Sequence, residues 1–141
     1  WNSDGLPEFI VSNMNSPLGL LKNTSRNPGH FLRFKLYATR TARDAIGARV
    51  MLKTDSQSVT KQLTAGDGLM ASNERVVEFG LGASDRVREV TIHWPSGATS
   101  TLVSPRIDCS LIFVENIPHA TRTDMLGVTS LPVASITEEE P

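Results

Sequence analysis

The chain has 141 residues, 39% of them hydrophobic and 21% charged, with a formal net charge of -1. That length suits one domain with tails and a modest core, and the composition is not that of a wholly disordered chain. The charge balance argues against nucleic-acid binding, which needs a basic face or stripe, and no run has the length of a membrane helix. Cys109 is the only cysteine, which excludes an intrachain disulfide and a thiolate metal cluster. Its apolar neighbours Ile107, Leu111 and Ile112 mark it as a buried, inert thiol.

The chain opens on Trp1 without a methionine and reads as a piece of something longer. Asn2 and Asp4 alternate, Gly5 follows, and Glu8 closes the stretch. Oxygen ligands at every second position with a glycine at the sharp bend are calcium-loop chemistry. Asn2, Asp4, the Leu6 carbonyl and Glu8 would be ligands of a loop whose opening residue lies before Trp1. The alternative is an Asn/Asp/Gly turn ahead of a short strand, Phe9 to Ser12. A turn at 13–17 leads to a second short strand, Leu18 to Asn23, and then to a polar loop.

Phe31 to Tyr37 alternates, with Leu32, Phe34 and Leu36 inward and Arg33, Lys35 and Tyr37 outward. A polar crossing loop, Ala38 to Ala45, is released by Gly47 into a strand from Ala48 to Lys53. Asp55-Ser56 turns the chain back along Ser58 to Leu63. A glycine-rich bend, Ala65-Gly66-Asp67-Gly68, follows. Val76 to Leu81 is a strand whose Gly80, with Gly82 beyond it, predicts a bulge or a close backbone approach. Val87 to Trp94 alternates most clearly, and Pro95-Ser96-Gly97 suits a tight turn into Thr99 to Val103. Leu111 to Glu115 is the last strand expected. The expected core is Leu32, Phe34, Leu36, Val50, Leu52, Val59, Phe79, Val90, Ile92, Trp94 and Phe113.

No segment carries a helical period. The fold class expected is all-β, an antiparallel β-sandwich of about seven or more strands with a mobile C-terminal tail. Residues 1–29 read as the remnant of a preceding repeat and linker, 30–115 as the sandwich, and 116–141 as a tail or linker. In that last stretch Thr, Ser and Pro dilute the apolar content needed to offset ordering entropy.

The span from His30 to Ser104 resembles the ASPIC/UnbV domain. The matching pieces are His30-Phe31-Leu32, Arg43-Asp44-Ala45-Ile46-Gly47-Ala48-Arg49-Val50, Ala65-Gly66-Asp67-Gly68 with Ser72, Glu74-Arg75, Phe79-Gly80-Leu81-Gly82 and Trp94-Pro95-Ser96-Gly97. Phe31 stands where the family usually carries Trp. The stretch before it looks like the end of an integrin-like FG-GAP (VCBS) repeat. The resemblance implies an extracellular or periplasmic module that binds or adheres, attached to a calcium-binding β-propeller. It implies no reaction. It also implies calcium in the longer protein and no cofactor in this stretch, with an unknown protein or glycan as partner, no nucleic acid and no membrane insertion.

Two other readings stand beside this one: a carbohydrate-binding module and an enzyme domain of unknown chemistry. Loop residues Arg43, Asp44 and Asp67 and the outward-facing Tyr37 are the candidate ligand-binding set; the alternative for the aspartates is Asx capping of turn backbone. Arg43 and Arg49 beside Asp44 suggest an ion pair fixing the crossing loop, and Glu74 with Arg75 could anchor a loop to a strand start. Ser72, Asp67 and His93 make a paper triad with no nucleophile-elbow motif behind it. Trp94 shares the phase of Val90 and Ile92, so it belongs to the core rather than to a sugar platform.

Overall fold

The computed structural model describes residues 6–66, 68, 71–124, 127–133 and 135–137. Among the described residues twelve strands run in chain order: β1 (Phe9–Val11), β2 (Gly19–Leu21), β3 (His30–Tyr37), β4 (Arg49–Lys53), β5 (Ser58–Gln62), β6 (Val77–Gly82), β7 (Glu89–His93), β8 (Thr99–Val103), β9 (Cys109–Val114), β10 (His119–Asp124), β11 (Gly127–Pro132) and β12 (Ser135–Thr137). They form a small sheet, β1-β2, and two five-stranded sheets, β11-β10-β9-β3-β6 and β12-β8-β7-β4-β5. The inward residues of the two large sheets make one apolar cluster, the core of an all-β sandwich.

Strand alternation predicts that core well. Every expected core residue except Val59 is buried, and Val59 packs partly buried against the cluster. The Phe34 ring meets Phe79 edge-on at 5.7 Å between centroids and Phe113 at 6.4 Å, a geometry favoured by the ring quadrupoles. Trp94 is buried, and its indole N–H donates to Ser100 Oγ at 2.9 Å. Cys109 is buried, as its neighbours suggest.

Pairing among the described strands is antiparallel except between β3 and β9, which run parallel. Parallel neighbours need a long crossover, and here the chain from β4 to β8 supplies it, laying down β4, β5, β7 and β8 of the second sheet and β6 on the free side of β3. The predicted irregularity falls at the end of β6. Phe31 pairs with Gly80 while His30 pairs with Gly82, so Leu81 is the extra residue of a bulge. A Cβ on Gly29 would lie 2.5 Å from the Gly82 carbonyl oxygen. Both glycines have positive φ, and Gly29 lets the linker cross the end of β6 at backbone contact.

The region past Asn116, expected as a tail or linker, differs in its described part. His119–Asp124 pairs with β9, Gly127–Pro132 pairs with His119–Asp124, and Ser135–Thr137 pairs with β8. Ala120 is fully buried, and Leu131 and Val133 pack on the core. Strand edges left by β8 and β9 capture sequence that is too weakly apolar to announce itself.

Candidate functional site

One end of the sandwich is organised by Glu115, which no sequence motif picks out. It ends the inward series Leu111, Phe113, Glu115, so alternation puts a carboxyl where a core side chain belongs. It is fully buried. One carboxylate oxygen accepts the backbone N–H of Thr39 at 2.7 Å and of Arg40 at 2.9 Å, and the other accepts the Ser96 hydroxyl. Burial alone pushes this carboxyl up, but the bonds from Ser96, Arg40 and Thr39 together outweigh it and hold the pKa below the usual glutamate range. The carboxylate thereby ties the β3–β4 crossing loop to the Trp94–Ala98 turn. That turn is closed by Gly97 N–H on the Trp94 carbonyl at 3.1 Å, with Gly97 at φ 93°.

The crossing loop is fixed by small residues and backbone bonds. Ala45 and Ala48 are fully buried, and Ala45 has a φ of 51°. Ala38 N–H donates to the Arg43 carbonyl at 3.0 Å, and Gly47 N–H reaches the Leu63 carbonyl at 2.8 Å. The expected pair of Asp44 with its flanking arginines is not formed. Arg43 instead sits over the Tyr37 ring at 5.7 Å, and Lys35 approaches the same ring at 5.9 Å. A half-buried aromatic face is a better partner for these cations than an exposed carboxylate in water. Tyr37 and Arg43 of the candidate ligand set therefore meet, Asp44 stays exposed in the same loop, and Asp67 lies outside the described residues. Glu74 does anchor a strand, through the Arg33 guanidinium rather than through Arg75.

The other end carries a cleft of about 780 Å³, lined by Leu6, Pro7, Asn23 and Ser25 on one side and by His30, Lys61, Gly80 and Asp108 among others on the sandwich side. Tyr37 and His30 stand at opposite ends of β3, about 23 Å apart for an extended strand of that length. Asp108 closes the β3–β9 start. Its Oδ1 accepts the Phe31 N–H at 3.1 Å, its own N–H donates to the Phe31 carbonyl at 2.8 Å, and its Oδ2 meets His30 Nδ1 at 2.7 Å. This His30–Asp108 pair joins residues seventy-eight apart in sequence, so no local pattern foretells it. Of the paper triad, His93 contacts Thr99 Oγ1 at 3.5 Å, Ser72 is exposed, and Asp67 lies outside the described residues.

Before the cleft stands the β1-β2 hairpin, registered Phe9 against Leu21 and Val11 against Gly19. Phe9, Ile10, Leu18 and Leu21 are each more than half exposed and Met14 is fully so. Of the calcium-loop candidates, Asn2 and Asp4 lie outside the described residues, while Leu6 and Glu8 are half-buried just before β1. Among the described residues no three His, Cys, Asp or Glu side chains converge on a metal position.

Fold and site together define a two-sheet β-domain whose loops are locked at one end by a buried carboxylate and which carries an apolar N-terminal hairpin. A family model described as ASPIC and UnbV matches residues 38–119. That is more than half of the chain, and the chain belongs to this family. The match includes the crossing loop, the Trp94 turn and Glu115, and it begins one residue after β3. No curated protein sequence matches the chain.

Proposed function

We propose that this is a non-catalytic binding or adhesion module of an extracellular or periplasmic protein, seated on a calcium-binding β-propeller of FG-GAP type. The observation that carries the reading is the apolar β1-β2 hairpin, with Phe9, Ile10, Leu18 and Leu21 largely in solvent. A two-stranded hairpin is marginal in water by itself, and an exposed apolar surface on this scale marks a protein contact. The resemblance of the preceding stretch to the end of a repeat supports a propeller blade as that contact. Asn2, Asp4, the Leu6 carbonyl and Glu8 run directly into β1, so the same blade would fix the calcium loop.

Calorimetry tests this on two chains. The 141-residue chain lacks the loop's opening acid, and a calcium site needs about six to eight oxygens; it is expected to bind calcium weakly or not at all. A longer chain carrying the preceding repeats and that acid is expected to bind it, with β1-β2 amides protected from exchange. Tight binding by the shorter chain, or none by the longer, removes the severed-loop reading.

A carbohydrate-binding role has one observation in its favour, the half-exposed Tyr37 flanked by Lys35 and Arg43. A glycan array with the parent chain and Tyr37→Ala separates it from the adhesion reading. Glycan binding that vanishes in the variant supports it, and no binding by the parent chain ends it.

A further inference from the structure

We infer that the open edge of β6 in the large cleft is a docking site for an extended peptide, held by backbone hydrogen bonds to Glu78 and Gly80. The inference goes beyond the propeller reading and stands without it. It begins with parity. On the β9 side of β3, the Phe31 carbonyl accepts the Asp108 N–H and the Tyr37 carbonyl accepts the Glu115 N–H. Odd-numbered residues of β3 thus spend their backbone groups on β9, and Leu32 and Phe34 bond to β6. Their partners are Phe79 and Val77, whereas Glu78 and Gly80 stand opposite Arg33 and Phe31. In an antiparallel ladder the residues opposite those non-bonded positions turn both N–H and C=O away from the neighbour. Glu78 and Gly80 therefore aim their backbone groups outward, and β6 is the last strand of its sheet.

Two contacts agree. Lys61 Nζ donates to the Glu78 carbonyl at 2.7 Å, which places that carbonyl on the outer side. Both Glu78 and Gly80 line the cleft of about 780 Å³. A lysine at an edge is a common guard against unwanted strand pairing, but this one covers a single carbonyl. Among the described residues the Glu78 N–H and both backbone groups of Gly80 remain, and the sheet face over Gly80 is open as well, with nothing within 4 Å of where a Cβ would stand. Gly29 closes the strand at its Gly82 end by backbone contact, so the free edge is short and has a fixed stop. A strand added here would use main-chain bonds for affinity and the cleft walls for side-chain choice.

The test starts from a display library of random heptapeptides selected on the intact chain. The best binder is then resynthesised with single N-methyl groups placed along it. Only alternate amides of an added strand face β6. Methylation is expected to weaken binding about tenfold at every second position and little at the positions between. The peptide should also shift the Glu78 and Gly80 amide resonances, and Gly80→Pro, which removes an outward N–H at an edge where proline is tolerated, should weaken it similarly. Lys61→Ala, which frees the Glu78 carbonyl, should tighten it. No enriched peptide, an N-methyl profile without alternation, or resonance changes confined to β1 and β2 would each overturn the inference.

Discussion

The sandwich and the N-terminal hairpin use the same residue types and treat them in opposite ways. Phe34 and Leu36 in β3 are buried, while Phe9 and Ile10 in β1 are each more than 60% exposed. Phe9-Ile10-Val11 and Leu20-Leu21 are as apolar as the strands of the core, so residue type alone does not separate them. What separates them is a second layer. β3 lies between β6 and β9 and faces a second five-stranded sheet, whereas β1 has only β2. Apolar side chains stabilise a strand in proportion to the area a neighbour removes from water. The hairpin thus shows what the sandwich strands would be without their opposite sheet, and it points to a neighbour of its own.

The comparison can be broken first at Trp94. Its burial and its bond to Ser100 make it part of the core, so Trp94→Ala is expected to cost ~3–5 kcal/mol in urea unfolding. An unchanged midpoint with lost ligand binding would make it a platform instead. Next is Glu115. Glu115→Gln leaves donors of Thr39 and Arg40 facing an amide that must also place its own N–H groups, at a cost of ~1–3 kcal/mol at neutral pH.

The sign with pH follows from the same bonds. The folded state holds the Glu115 pKa below its ordinary value of 4.5, so the unfolded chain binds its proton more readily. The stabilisation is complete above 4.5 and is lost as pH falls through the lower folded value. The gap between the parent chain and Glu115→Gln in urea titrations should therefore close in acid. A gap constant down to the lowest pH reached would show that the carboxylate charge is not what ties the loops.

Arg43→Ala removes one cation from the Tyr37 ring and should cost ~0.5–1 kcal/mol, read as a small drop in melting temperature. The smallest effect sharpens the contrast from the other side. Replacing Phe9 and Leu21 together by Ser should leave unfolding of this chain within about 0.5 kcal/mol, because those side chains are not in the core. If the proposed propeller blade covers the hairpin, the same double change in a longer chain that carries that blade should cost several times more. Equal small effects in both would mean that nothing covers the hairpin.

Much of the architecture was legible because it rests on period two. Val90, Ile92 and Trp94 announce an inner face by alternation, and the Pro95-Ser96-Gly97 turn and the Gly82 bulge are written in residues that have few other uses. Glu115 was legible in principle, since its parity with Leu111 and Phe113 turns it inward, but a carboxyl breaks the apolar pattern by which inward positions are recognised. The expected Asp44 ion pair failed because sequence proximity says nothing of the Tyr37 ring that competes for Arg43. β10 and β12 were hidden for a related reason. Their threonines and Ile136 suit a strand, but neither stretch sustains an alternation of apolar with polar residues, and it is the free edges of β9 and β8 that pair them.

Alternation and turn chemistry act over a few neighbouring residues, and they are enough to specify the all-β class, the inward faces of β3, β4, β6 and β7 and the tight turns. The parallel β3–β9 pairing, the meeting of Thr39, Ser96 and Glu115 and the His30–Asp108 pair arise from the folded chain as a whole. Each of those joins groups far apart along the chain, and closing long loops costs little more than closing short ones, so no local signal is needed to bring them together and none is left behind.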